Sequence, residues 1–178
     1  MRKADSKRLV IDADVARASG GETATHPRAK HCRDFLREVL SLCHHVVITS
    51  KIRNEWKDNQ SNFVREWRRL MYSRKKVCRV EPPANEILLD KIEKTATNEK
   101  AREDMQKDFH LLEAAEATDQ TIVSLDETVR CHFTQATQSV GEIRDIVWVN
   151  PEFTEEQPLD WLRDGAPPEA HRKLRNQP

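Results

Sequence analysis

Residues Arg8–Asp12 read RLVID, three large aliphatic side chains in a row followed by an acid. Leu9, Val10 and Ile11 show no polar alternation. The run therefore reads as a short strand covered on both faces, not as the half-solvated strand of an antiparallel sheet. Four further short apolar runs follow it: Val46–Thr49, Val77–Val80 (stopped by Pro82 and Pro83), Thr121–Leu125 and Ile146–Val149. Helical patterns separate them. Pro27–Cys43 carries Phe35, Leu36, Val39, Leu40 and Cys43 on one face, and Ser50 stands at an N-cap position ahead of Lys51–Asp58. Ser61–Arg74, Asn85–Thr95, Ala101–Thr118 and Thr128–Gln138 complete the series. Strands alternating with helices predict an α/β protein, a three-layer α/β/α fold with a central parallel sheet of about five strands.

The chain has 178 residues, of which 34% are charged and 37% hydrophobic. Mean hydropathy is −0.79. No apolar run approaches the roughly 18 residues of a membrane span. Four cysteines without a CxxC pair do not make a disulfide scaffold, and four glycines leave no Gly-rich phosphate loop. The basic start, Met1–Arg8, leads into an apolar run too short for a signal-peptide core, so a cytoplasmic protein with reduced thiols is expected. Residues 1–150 read as one domain. Residues 151–178 hold five of the eight prolines and six acids, and read as an extended acidic appendage anchored by Phe153, Leu159, Trp161 and Leu162.

Thirty basic and thirty acidic residues cancel, but unevenly along the chain. Residues 1–80 hold 19 Lys and Arg against 9 Asp and Glu; the remainder holds 11 against 21. The acidic tail is thus expected to fold over the basic half or over a second copy. The densest basic stretch contains Arg65, Arg68, Arg69, Arg74, Lys75, Lys76 and Arg79, with Trp67 and Tyr72 among them and Glu66 as its one acid. Cations interleaved with aromatics suit a nucleic-acid backbone and base stacking. A solvated helix face is the plainer reading of the same residues.

In open α/β sheets ligands sit beyond the carboxyl ends of the strands. Asp12 ends the first apolar run, and Asp126 follows the fourth in IVSLD. Glu55 lies in the helix after the second run. Asp108 lies in the helix before the fourth, and is preferred to Asp104 because Leu111, Leu112 and Ala115 place it at the start of a buried stripe. Gathered carboxylates repel one another unless protons or a cation intervene. Mg²⁺ or Mn²⁺ accepts such an all-oxygen set, and paired ions can activate water against a phosphodiester. His110 reads as facing away on its helix, His44–His45 as a loop pair, and the cysteines as small core residues.

The segments RLVIDADV, ITSKIRNEW, DFHLLEAAEAT and IVSLDETV resemble, in order over residues 8–150, the four landmarks of PIN-domain ribonucleases, including toxins of the VapC type. The resemblance implies a fold of that type and metal-dependent hydrolysis of RNA. It implies Asp12, Glu55, Asp108 and Asp126 as catalytic residues and ligands of Mg²⁺ or Mn²⁺. Ser124 falls where the family often has a hydroxyl near the metal, and Asp14 stands where Asn or Ser is common; both would support the ligands. Family members often dimerise and often pair with an antitoxin protein. An Asp12–Ala13–Asp14 pair also resembles phosphatases of the haloacid dehalogenase superfamily, with Asp12 as nucleophile and the Val46–Thr49 run supplying a hydroxyl. A non-catalytic RNA-binding module is the third reading.

Overall fold

The computed structural model describes residues 6–58 and 60–177. The basic segment before Ser6 therefore lies largely outside the described residues. Five strands, β1 (Arg8–Ile11), β2 (His45–Ile48), β3 (Val77–Arg79), β4 (Thr121–Val123) and β5 (Val147–Val149), form one sheet in the order β3-β2-β1-β4-β5. All four pairings are parallel, with Leu9 opposite Val46 and Ile11 opposite Val123. Every residue of β4 and β5 is buried, as are Leu9, Val10 and Ile11 in β1. This is the burial that unbroken apolar runs require.

Eight α-helices flank the sheet among the described residues: α1 (Ala13–Ala18), α2 (Pro27–Ser41), α3 (Ser50–Lys57), α4 (Asn62–Ser73), α5 (Glu86–Glu93), α6 (Glu99–Glu116), α7 (Glu127–Ala136) and α8 (Pro158–Arg163). Packing divides them into two outer layers. In one, α2 touches α1, α4 and α8, and α1 touches α3; in the other, α6 touches α5 and α7. The fold is the expected three-layer α/β/α sandwich.

Start signals are explicit. Ser61, Asn85 and Asn98 each accept a hydrogen bond from the N–H three residues on, at 3.2, 3.1 and 2.9 Å. At α3 the cap is Thr49, whose hydroxyl accepts from Ile52 N–H at 3.1 Å, so Ser50 is the first helical residue and not the cap. Helix α1 was not foreseen. It is only six residues long, too short for a periodic stripe to show, and its cap is Asp12 itself.

The tail is not an extended appendage. It forms α8 and three 3₁₀ turns, and Lys173 bridges back to Val147 beside β5. Trp161, Leu162, Ala166 and Leu174 are buried in the common core, whereas Phe153 is 37% exposed and Leu159 only half-buried. Its acids are satisfied mostly within the tail and by α7: Glu156 meets Arg130 at 3.2 Å and Arg172 at 3.5 Å, and Glu169 meets Arg172 at 2.5 Å. Among the described residues only Glu152, pairing with Arg28 at 3.0 Å, reaches a cation of the basic half. Only the first of the His44–His45 pair lies in a loop. His45 opens β2, and His44 is buried, accepting from Lys7 N–H at 3.1 Å and donating to the Leu162 carbonyl at 2.8 Å. Of the cysteines, Cys32 is buried but Cys131 is exposed.

Candidate active site

Strands β1, β2 and β3 build the sheet outward in one direction; β4 and β5 extend it in the other. The order therefore reverses between β1 and β4. Connections leave to opposite sides there, and a crevice opens beyond the carboxyl ends. Asp12 stands at its edge, with its N–H held by the Val123 carbonyl at 2.9 Å. Asp126 stands on the other side as the cap of α7, accepting from Val129 N–H at 2.9 Å.

A cavity of about 180 Å³ occupies the crevice, lined by Asp12, Asp14, Glu55, Asp108 and Asp126 together with Ala13, Arg17 and Lys107. The four acids expected from sequence thus converge, although 43 to 114 residues separate the other three from Asp12. Asp14 joins them on the cavity wall. Asp104, the rejected rival, is instead paired with Lys100 at 2.6 Å.

Ser124 ties two acids together. Its hydroxyl oxygen lies 2.9 Å from Asp12 Oδ2 and 3.0 Å from Asp14 Oδ2, and accepts from Asp126 N–H at 3.1 Å. One hydroxyl has one proton to donate. Asp14 Oδ2 also accepts from Leu125 N–H at 2.9 Å, but two buried carboxylates meeting at one hydroxyl repel each other, and a proton or a cation relieves the repulsion. The electrostatics agree. Burial, reinforced by the charge of Asp12, pushes Asp14 up to about 8. Burial also raises Asp12 above the usual carboxylate range. Asp108 is pushed up to about 7 by burial, then by the charges of Asp12, Asp126 and Glu55. Asp14 Oδ1 is buried with no hydrogen-bond partner.

His110 does not face away. Its ring is buried; Nδ1 lies 3.0 Å from the Lys107 carbonyl and Nε2 lies 3.1 Å from Glu55 Oε2. A carbonyl only accepts, so Nδ1 carries the proton, and a neutral ring then offers Nε2 as an acceptor. Burial, followed by the charge of Lys51, lowers His110 to about 4, and burial raises Glu55. Both shifts draw any proton shared by the pair toward Glu55 and away from His110. Lys51 Nζ donates to the same Lys107 carbonyl at 2.8 Å, so α3 and α6 are joined beside the cavity. Sequence reasoning missed Arg17, Lys107 and the His110 contact. Adjacency of Lys107 and His110 to Asp108 on α6 was the available signal.

The donor set fits a hard divalent cation. It is all oxygen and has an excess of negative charge over Arg17 and Lys107. It also contains one buried oxygen that lacks any partner. Among the described residues no three His, Cys, Asp or Glu side chains already stand as a closed ligand group. Mg²⁺ does not require one, since it keeps several waters and binds through one or two carboxylates.

The basic stretch is divided. Trp67 is buried, stacked on Trp56 with ring centres 5.6 Å apart, and is a core residue. Arg74 donates to the Leu40 carbonyl at 3.3 Å, and Lys76 to the carbonyls of Leu40, at 2.6 Å, and Leu42, so both cap the end of α2. With Lys75 they precede β3, at the edge of the sheet opposite the cavity. Arg69 pairs with Glu66 at 2.6 Å and Arg65 bonds Asn62, while Arg68 is half-buried on α4. Thr49, the hydroxyl a phosphatase would need after the second strand, is committed to capping α3 and does not line the cavity.

In the absence of metal the cluster should work against stability. A carboxyl whose folded value lies above its unfolded one contributes stability fully below about 4, and that contribution is lost as pH rises through the folded value. For Asp14 the loss runs from about pH 4 to about 8, and Asp108 adds a loss of the same sign up to about 7. His110 and His44, both lowered, act oppositely, weakening the fold as pH falls below about 6.5. Asp14→Asn removes a charge that burial and the neighbouring Asp12 both disfavour. In EDTA it should stabilise the protein by about 1–3 kcal/mol at pH 8.5 and by clearly less at pH 5, by urea unfolding. An equal or opposite effect at the two values would show that Asp14 is not strained by its neighbours.

No family model matches this chain, and no curated protein or solved structure matches it.

Proposed function

We propose that this chain is a metal-dependent endoribonuclease of the PIN type, hydrolysing RNA phosphodiester bonds with Mg²⁺ or Mn²⁺. One observation carries the reading: carboxylates from separate elements line one small cavity at the point where the strand order reverses. Such a cluster is costly to hold in the metal-free protein, and a cation relieves it. Asp12, Glu55, Asp108 and Asp126 would hold the metal, with Asp14 beside them and Ser124 fixing Asp12 and Asp14 in place. Glu55, oriented by His110, completes the wall. Bound there, the metal supplies a water activated for attack and charge to oppose the phosphate oxygens. Among the described residues no helix is long and apolar enough to cross a membrane. A cytoplasmic role, as the toxin of a toxin–antitoxin pair held by an antitoxin protein, or as a homodimer, belongs to the same proposal.

The test is cleavage of a labelled single-stranded RNA by the purified chain in Mn²⁺, with and without excess EDTA. Cutting that EDTA abolishes and added Mn²⁺ restores is expected. Mn²⁺ should also raise the thermal midpoint, since a ligand at about 100 times its Kd adds about 2.7 kcal/mol. RNA left intact in Mn²⁺, with no midpoint shift, contradicts the proposal. RNA binding without metal dependence favours the non-catalytic module instead.

A further inference from the structure

The acidic cavity, at about 180 Å³, has room for ions, waters and a phosphate, but not for a nucleotide. A larger groove of about 680 Å³ adjoins it and shares three of its lining residues, Asp14, Arg17 and Asp126. That volume lies within the range of about 300–1,000 Å³ typical of sites for small ligands. Two residues distinguish the groove. Arg17 is exposed in the last turn of α1 and lines both spaces; among the described residues its side chain makes no hydrogen bond or ion pair. Phe153 also lines the groove and is 37% exposed, one of only three large hydrophobic side chains so open among the described residues.

The groove's other charges are already engaged. Glu152 is paired with Arg28 at 3.0 Å, and Glu127 accepts from Asn150 at 2.9 Å and from Arg130 at 3.3 Å. Among the described residues Arg17 is therefore the cation without a hydrogen bond or ion pair where the groove meets the cavity, its charge acting on Glu55 from a distance. Phe153 is held by its backbone: its N–H donates to the Asn150 carbonyl at 3.1 Å, and its own carbonyl accepts from Glu156 N–H at 3.0 Å. A held, open ring lining a polar groove is a stacking platform. A free guanidinium beside a cluster of carboxylates is where a bridging phosphate can be gripped.

We infer that the groove is a subsite for single-stranded RNA, in which an unpaired base stacks on Phe153 while Arg17 holds the backbone phosphate at the cavity mouth. The inference rests on the ribonuclease reading and adds to it where the nucleotide beside the scissile phosphate is held, on Phe153 and Arg17.

The experiment uses full-length protein carrying Asp126→Asn to stop cutting, and a single-stranded oligoribonucleotide containing 2-aminopurine, whose fluorescence falls on stacking. Binding with quenching is expected. Phe153→Ala should weaken it by about ten- to a hundredfold and abolish the quench, and Phe153→Trp should restore both. Arg17→Gln should weaken binding and reduce its salt dependence by about one phosphate contact. A duplex of the same sequence should not compete. Undiminished binding and quenching in Phe153→Ala, or no binding by the parent, overturns the subsite. The wild-type chain in Mn²⁺ judges the other reading separately. Cleavage without a Phe153-dependent quench removes only the subsite; a Phe153-dependent quench without cleavage removes only the nuclease.

Discussion

Asp12→Asn is expected to lower the rate of RNA cleavage by about a thousandfold or more and to leave the fold intact or slightly firmer. Asn keeps the shape of Asp and can still cap α1, where Asp12 now receives the Asp14 N–H at 3.4 Å. Its amide can donate to Ser124, whose single proton cannot serve two carboxylates. The substitution thus removes a charge that the metal-free fold holds at a cost. It also removes a ligand from the cavity's inner wall, and loss of a group that stabilises transition-state charge typically costs a hundredfold to a thousandfold or more. Cleavage rates in Mn²⁺ together with thermal midpoints in EDTA make the measurement. A variant that cuts at the wild-type rate, or one inactive only because it has unfolded, contradicts the assignment.

Trp161→Ala should be the most damaging change outside the crevice. Trp161 is 3% exposed and packs into the common core; its Nε1–H donates to the Pro167 carbonyl at 2.9 Å, and the Arg172 guanidinium lies 5.4 Å from its ring centre. Truncating a buried Trp costs about 3–5 kcal/mol. For a chain of this size, each kcal/mol lowers the midpoint by about 2–4 °C. A drop of roughly 6–20 °C by calorimetry is therefore expected. A negligible drop would mean the tail is a removable appendage after all. The same packing changes the expectation for a chain ending at residue 150. It loses Leu162 and Leu174 from the core as well, and should fail to fold stably before any effect on RNA binding can appear.

The sheet was legible because Leu9–Ile11, Val46–Ile48 and Ile122–Val123 are apolar without interruption, and strands covered on both faces use such runs. The site was legible in part for the same reason. An acid that directly follows a covered strand must lie at the sheet's edge, which located Asp12 and Asp126. Glu55 and Asp108 sit on helices, where sequence shows a face but not what the face meets. Three features were hidden for distinct reasons. Helix α1 is too short to display a period. The contact from His110 to Glu55 spans 55 residues and depends on how α3 and α6 approach, which no local pattern encodes. In the tail, proline and acid content argued for extension, but Trp161, Leu162 and Leu174 bury enough apolar surface to outweigh it, and Arg130 and Arg172 neutralise acids that composition alone counts as free. In the basic stretch, counting cations cannot tell Arg74 and Lys76, which close the end of α2, from cations free to meet a phosphate.

A crystal soaked in Mn²⁺ and measured at the manganese absorption edge bears most directly on the crevice. An anomalous peak between the carboxylates of Asp12 and Asp126, about 2.1 Å from at least one oxygen of each and bridged to the others by water, is expected. A crevice that stays empty at millimolar Mn²⁺, in crystals of a protein that cuts RNA under the same conditions, would contradict it.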